Sequence, residues 1–307
     1  MKGKKFSGVT TIVNRNRTQF SLDYDEVISQ PLRPKAKPKA VPFLKWAGGK
    51  RKLVAMIISS APISFKRYLE PFVGGGAVAF ALGHQWMLLN DSNVELINTY
   101  QVVRDDLDIL LPLLDEHQKQ HSQAYFYMVR TQKPDTLSMV ERAARFIYLN
   151  KTCFNGLYRV NKYGQFNVPF GKYVHPLLYD RESMVAASSI LQSAELYAKD
   201  YTVFLKDHAQ PEDFIYLDPP YVPIGQFSDF KRYTKEQFRE DNQYRLAELY
   251  NDLVDLGAYP VLSNSYSELT LSLYAQHDIQ IVYANRNINH DGAGRDRVPE
   301  ILVRPRR

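Results

Sequence analysis

The 307-residue chain is short of sulfur pairs, long apolar runs and the usual phosphate-gripping patterns. Its single cysteine, Cys153, has no partner for an internal disulfide. That usage fits a reducing compartment, most simply the cytoplasm. No run of about 18 apolar residues occurs, so no membrane-spanning helix and no membrane partner are expected. The first thirty residues are polar and basic and hold no apolar signal core. In "AGGKR", Gly49-Lys50 is followed by Arg51 instead of Ser or Thr, and Leu44 stands where a P-loop has its first glycine. The run "EPFVGGGAV" is not G-x-G-x-x-G either. A pyrophosphate-bearing ligand is therefore not indicated.

What is present begins with charge. Residues 1–41 hold nine basic side chains (Lys2, Lys4, Lys5, Arg15, Arg17, Arg33, Lys35, Lys37, Lys39) against Asp23, Asp25 and Glu26, which accounts for the whole formal +6. The body is formally neutral. A basic arm on a neutral body suggests a polyanionic partner, or equally a solvated tail. The arm ends in "QPLRPKAKPKAVP", a Pro- and Lys-rich stretch expected to be an extended linker.

Beyond the linker, strand and helix patterns alternate. The segment "FKRYLEPFVGGGAVAFAL" reads as strand, glycine loop and helix, and "WMLLNDSN" as a second strand ending in Asp91. Residues from there to about 150 are helical in pattern. "FNGLYRVNKYGQFNVPFGKY" alternates and turns at glycine, which suggests a β-hairpin. Further strands are expected at "FIYLDPPY", "YPVLSNS", "DIQIVYANR" and "VPEILVRPR", with helices between them. The alternation implies a doubly wound, Rossmann-like α/β sheet carrying an inserted helical and hairpin lobe.

Two stretches carry chemistry. Gly74, Gly75 and Gly76 close the first strand, where backbone can approach a ligand at the start of a helix; a tight structural turn reads equally well. Asp91, at the end of the second strand, stands where an acid accepts ribose hydroxyls. Ribose without pyrophosphate points to a nucleoside cofactor such as S-adenosylmethionine. The second stretch is Asp218-Pro219-Pro220-Tyr221. Its prolines cannot donate to a β-ladder, so the strand stops there and holds a carboxylate, a carbonyl and an aromatic ring in fixed directions.

"FLKWAGGK", "EPFVGGGAV", the acid of "LNDSN", "FNGLYRVNKYGQFNVPFGKY" and "DPPY" resemble, in this order, the blocks of DNA adenine-N6 methyltransferases of the Dam/DpnII type. The resemblance runs from about Phe43 to the C-terminus. It implies the methyltransferase variant of the fold, with a catalytic domain at 43–95 and 191–307, a target-recognition domain at 96–190 and an uncovered arm at 1–42. It implies S-adenosylmethionine as cofactor, no metal, and double-stranded DNA as partner. Asp218, Pro219 and Tyr221 are then catalytic. Trp46, Lys50, Asp91 and Asp218 match cofactor-contacting positions, with Phe72, Gly74 and Gly76 beside them. Lys45, Phe154, Asn155, Leu157, Arg159, Pro169 and Tyr173 match positions that contact or wedge the duplex. Phe154 departs mildly, since some members carry tyrosine there.

The chemistry implied is methylation of an exocyclic amine. Asp218 and the Pro219 carbonyl would hold the two N6 hydrogens, Tyr221 would stack on the base, and the base must leave the duplex to reach them. Relatives acting on cytosine N4 or on protein glutamine usually carry Ser-Pro-Pro or Asn-Pro-Pro. Cytosine C5 chemistry needs a cysteine nucleophile, typically after proline, whereas Cys153 follows Thr152. A silent DNA-binding regulator on the same scaffold is a reading of another class; intact Asp91, Asp218 and Tyr221 speak against it. In GATC-modifying members the hairpin carries "NGL-x-R", here Leu157 and Arg159, so GATC is the expected context.

Overall fold

The computed structural model describes residues 40–221, 238, 240–285 and 297–306. Residues 1–39, which form most of the basic arm, lie outside the described residues.

Seven strands form one sheet: β1 (Tyr68–Glu70), β2 (Met87–Asn90), β3 (Ala194–Tyr197), β4 (Phe214–Leu217), β5 (Tyr259–Ser265), β6 (Asp278–Asn285) and β7 (Arg297–Arg304). Their spatial order is β3-β2-β1-β4-β5-β7-β6. The first five are mutually parallel, and β7 inserts antiparallel between β5 and β6. The central strands are buried along their whole length, "YLE", "MLLN" and "FIYL" alike. Such runs follow from a parallel sheet covered on both faces.

Period-two alternation divides each strand between the two covering layers. Tyr68, Met87, Leu89, Phe214 and Tyr216 pack into one core. It takes residues from α1 (Val54–Ser59), α2 (Ala77–Leu82), α3 (Val94–Asp105), α4 (Leu107–Lys119), α6 (Met139–Thr152) and α7 (Arg181–Leu191). Leu69, Leu88, Ile215, Leu217 and Leu262 enter the other core with α8 (Tyr201–His208) and α9 (Glu240–Asp255). The sheet is thus doubly wound and Rossmann-like, as its alternating sequence implies. The strand order reverses between β1 and β4, and a crevice for ligands opens at the carboxyl ends beside such a switch point.

A third cluster, of Phe126, Val129, Tyr148, Leu149, Cys153, Phe166, Val168 and Leu178, joins α5 (Gln123–Thr131) and α6 to the segment after α6. That segment departs from a regular hairpin. It pairs through two isolated antiparallel bridges, Cys153↔Phe170 and Val160↔Phe166, and reverses where Gly164 N–H bonds the Asn161 carbonyl. A short 3₁₀ turn, Phe154–Gly156, takes up its first residues, and Asn155 lies in the left-handed region at φ 53°. The single helical pattern at 93–120 also breaks, at Asp106 (φ −128°, ψ 31°), into α3 and α4.

Candidate active site

β4 delivers Asp218 to the carboxyl edge of the sheet. There the Lys50 ammonium stands 2.8 Å from Asp218 Oδ1, and the same oxygen accepts a 2.8 Å hydrogen bond from the Ser263 hydroxyl. Ser263 Oγ lies 2.8 Å from the Tyr216 hydroxyl. A serine has one proton to give and gives it to the carboxylate, so Tyr216 is the donor in that pair. Oδ2 of Asp218 has no hydrogen-bond partner among the described residues. The carboxylate is four-fifths buried, with 20% of the side chain exposed, enough to meet a ligand from one side.

The rest of the turn is held as firmly. The Gln243 amide donates to the Pro220 carbonyl at 3.3 Å and is itself held by Asn264 at 2.9 Å. The Tyr221 hydroxyl donates to Glu300 Oε2 at 2.9 Å, and the Lys50 ammonium lies 4.6 Å from the centre of the Tyr221 ring. Burial, with Asp218 and Glu300 close by, pushes the Tyr221 phenol well above its ordinary range, so it stays a neutral donor. Glu70, at the end of β1, is buried and accepts from the Tyr68 hydroxyl at 2.8 Å. Burial raises its carboxyl to about 8, with the Asp218 charge adding to the effect.

The glycine loop follows β1. Asp91 accepts from the Gly74 backbone at 3.1 Å through Oδ2 and from the Asn93 backbone at 2.9 Å through Oδ1. Burial raises the Asp91 carboxyl to about 6, against these two hydrogen bonds. Gly74 (φ 47°) and Gly76 (φ 68°) occupy left-handed conformations that glycine tolerates best. A Cβ on Gly74 would meet Trp46 Nε1 at 2.7 Å, and one on Gly75 would meet Trp46 Cβ at 3.0 Å. The glycines therefore serve close approach as well as the turn. What approaches Gly74 and Gly75 from within the chain is the Trp46 side chain, and what approaches Gly76 is Phe80. Trp46 stacks in turn on Tyr158 (5.9 Å between centroids, 19°) and on Phe146 (6.5 Å, 27°).

Trp46, Gly74, Gly76 and Asp91 thus form one wall beside the Lys50–Asp218 pair. The Phe72 ring turns to the other layer, 5.0 Å from Tyr201 and 6.1 Å from Phe238. The donor set fits an adenosyl group: an oriented carboxylate suited to ribose hydroxyls, backbone free of Cβ, and a broad aromatic edge. Among the described residues no group of three or more His, Cys, Asp or Glu is arranged to hold a metal ion.

Lys45 joins this wall to the expected DNA-contacting segment. Its backbone N–H and carbonyl pair with the Asn150 amide at 2.8 and 2.7 Å. Its ammonium donates to the Lys151 carbonyl at 3.2 Å and to the Tyr173 hydroxyl at 3.1 Å. A Cβ on Gly156 would come within 2.3 Å of Lys45 Cδ, which explains glycine at that position. Phe154 is 40% exposed, Asn155 and Pro169 are exposed, and Leu157, Arg159 and Tyr173 are half-buried. Arg159 donates twice to Asn167, from Nε to Oδ1 at 2.7 Å and from Nη2 to the backbone carbonyl at 3.4 Å, which fixes the guanidinium plane. Burial pushes the Cys153 thiol up to about 12, far from a thiolate nucleophile.

Three neighbours of these residues escaped the sequence motifs: Ser263, Glu300 and Tyr158. Ser263 and Glu300 are polar residues inside strands that read as apolar; both are buried, Glu300 at 5% exposure. That mismatch was the signal available. Tyr158 lies between Leu157 and Arg159, and alternation alone places it on the opposite side.

The chain belongs to the D12 class N6 adenine-specific DNA methyltransferases, whose family model matches residues 46–288. It is 39% identical over 278 residues to a Type II methyltransferase of Lactococcus lactis subsp. cremoris, covering 89% of this chain and 98% of that protein. A Type II methyltransferase of Methanocaldococcus jannaschii is 39% identical over 283 residues, covering 85% and 98%. The DNA adenine methylase of Escherichia coli is 32% identical over 263 residues, covering 85% and 94%. Methyltransferases of this class use S-adenosylmethionine. No helix among the described residues is long and apolar enough to cross a membrane.

Proposed function

We propose that this protein transfers a methyl group directly, in line, to N6 of an adenine flipped out of duplex DNA, within the sequence GATC. The observation that carries the reading is the division of labour on Asp218. Oδ1 is occupied by Lys50 and Ser263, and Oδ2, which no other described residue bonds, is the oxygen that would accept from an amine. An exocyclic amine is a poor nucleophile because its lone pair is delocalised into the ring. Oδ2 and the Pro219 carbonyl, accepting its two hydrogens, favour the tetrahedral geometry in which the lone pair is available. This is orientation and electrostatics, the two largest sources of catalysis where no covalent intermediate forms. When bound, S-adenosylmethionine would supply the electrophilic methyl and leave as S-adenosylhomocysteine, and the surplus N6 proton would pass by way of Asp218 to solvent. Asp91 would hold its ribose, with Trp46 and the Gly74–Gly76 loop around the adenosyl group and Lys50 beside Asp218; Phe72, whose ring faces the other layer, takes no part through its side chain.

Tyr221 presents a ring for the extruded base, a contact worth about 1–3 kcal/mol. In this reading residues 43–95 and 191–307 do the chemistry, residues 96–190 find the target, and the arm at 1–42 adds non-specific attraction. Phe154 would act as a wedge, and Lys45, Asn155, Pro169 and Tyr173 would line the approach to the flipped base. Leu157 suits a thymine methyl. The Arg159 guanidinium suits guanine O6 and N7, a pairing worth about 1–3 kcal/mol of discrimination.

The test is sequencing of DNA from cells expressing the protein, by a method that detects N6-methyladenine and its context. Methylation at GATC is expected. DNA still fully cut by a nuclease blocked by GATC methylation overturns the context, and absence of N6-methyladenine anywhere overturns the activity.

A further inference from the structure

Glu300 is an anomaly of the sheet. It sits in β7 immediately before Ile301, Leu302 and Val303, all of them at 0–1% exposure, and is itself 5% exposed. Among the described residues it has no ion pair, and its side chain accepts one hydrogen bond, 2.9 Å from the Tyr221 hydroxyl. A buried carboxylate is costly in a low-dielectric interior unless donors hold it. Among the described residues the one group that its side chain bonds is the Tyr221 hydroxyl, on the turn that carries Asp218.

We infer that Glu300 is a positioning residue for the reaction: it anchors the Tyr221 hydroxyl and so fixes the plane of the ring on which the target base stacks. The inference rests on the adenine methyltransferase reading and adds to it a residue on the last strand. The geometry explains how β7 can do this. Its antiparallel insertion beside β5 sets Glu300 opposite Ser265, at the same carboxyl edge where Ser263 holds Asp218. The turn is then pinned from three elements: at Asp218 by β5 (Ser263), at the Pro220 carbonyl by α9 (Gln243), and at the Tyr221 hydroxyl by β7 (Glu300). A tyrosine tethered at its hydroxyl cannot swing about its Cα–Cβ bond. The ring plane then stays set before the base arrives, and its ordering does not have to accompany base flipping.

The experiment compares wild type, Glu300→Ala, Glu300→Gln, Tyr221→Phe and the Tyr221→Phe/Glu300→Ala double variant in the full chain. It reads kcat and KM on a GATC duplex, S-adenosylmethionine affinity without DNA, and fluorescence of 2-aminopurine at the target position. Glu300→Ala is expected to lower kcat at least tenfold and change the 2-aminopurine signal, with cofactor affinity within twofold. Glu300→Gln, whose amide oxygen can accept the same hydrogen bond, recovers at least half of the lost rate. In the Tyr221→Phe background, where there is no hydroxyl to anchor, Glu300→Ala costs nothing further. Equal losses in both backgrounds overturn the proposal, as does a Glu300→Ala kcat within twofold of wild type. Should Glu300→Ala not fold, an unaltered 2-aminopurine signal in Tyr221→Phe has the same force. A wild type that binds cofactor and flips 2-aminopurine but methylates no adenine would sink the functional reading and leave the anchor standing.

Discussion

Ser263→Ala separates what holds the fold from what drives the reaction, because Ser263 sits between two groups of different kind. Its hydroxyl gives a proton to Asp218 Oδ1 and accepts one from Tyr216, both at 2.8 Å, and Ser263 is itself fully buried. Removing it leaves the Tyr216 hydroxyl buried without a partner, a loss of about 1–3 kcal/mol of stability. It also takes one of two constraints from Asp218, leaving only Lys50. A hydrogen bond to a charged group contributes roughly 1.5–3 kcal/mol, and about 1.4 kcal/mol corresponds to tenfold in rate. Ser263→Ala should therefore lower kcat by about ten- to a hundredfold and lower the unfolding midpoint in denaturant. The double variant Ser263→Ala/Tyr216→Phe removes both partners and should restore most of the stability, since no orphaned donor remains. It should not restore the rate, because Asp218 is still loose. Stability by denaturant titration and rate by tritiated methyl transfer to a GATC duplex make the comparison. If rate and stability recover together, Ser263 acts on the fold and the role assigned to it on Asp218 is wrong.

Asp218→Ala should abolish methyl transfer while leaving the fold and much of the DNA affinity intact; turnover within tenfold of wild type on the same duplex would remove its assigned role. Cofactor affinity without DNA should fall as pH drops through about 6, where the raised Asp91 carboxyl takes a proton and ceases to be a full acceptor. Calorimetric titration at several pH values should find that dependence absent in Asp91→Asn. Deleting residues 1–41 should weaken non-specific DNA binding and flatten its dependence on salt, by about 0.9 in logarithmic slope per phosphate released. An unchanged slope would make the arm a passive tail. Arg159→Ala should relax the choice at one guanine more than it lowers turnover on the correct site, as read by rates on duplexes changed at single positions.

The parallel half of the fold was legible because burial on both faces writes itself into the chain. "YLE", "MLLN" and "FIYL" are buried end to end and mostly apolar, and Pro71, Asp91 and Asp218 follow them directly. The turn residues were legible for the same reason: Gly74, Asp91 and Asp218 interrupt those runs at their carboxyl ends. Other features were hidden because they depend on partners distant in sequence. Nothing local announces that Lys50 meets Asp218, 168 positions on, or that Glu300 meets Tyr221. The glycine loop left two readings open, a tight turn or room for a ligand. The structure adds a third occupant, Trp46, whose ring would collide with any side chain at Gly74. The segment after α6 differs in regularity from its sequence pattern. Its alternation gave a hairpin, but Asn155 in a left-handed conformation and the Phe154–Gly156 turn divert its first residues, so two bridges take the place of a ladder.

The charges around the turn form a consistent whole. Three carboxyls, Glu70, Asp218 and Glu300, gather at the carboxyl edge of the sheet around one ammonium, Lys50. Were all three ionised, the site would hold mutually repelling anions in a poorly solvated place. Burial resolves part of this by keeping Glu70 mostly protonated at neutral pH, with its carboxyl at about 8. A neutral Glu70 leaves the Lys50 charge to Asp218, the only one of the three that the ammonium contacts. A carboxyl raised from 4.5 to about 8 by folding contributes its full stability below about 4.5 and loses it as pH rises through 8. Replacing it by an amide of the same shape removes that dependence. Glu70→Gln should therefore match wild type in mild acid and exceed it in stability at pH 8 to 9, by up to a few kcal/mol given about 1.4 kcal/mol per pH unit. Its chemistry should persist, since Gln can still accept from Tyr68 and Asp218 keeps Lys50. Denaturant midpoints of the two proteins that stay parallel from pH 5 to 9 would mean that Glu70 is ionised in the folded state. In that event Lys50 would be shared, and Asp218 would not be the acceptor whose charge the site is built to preserve.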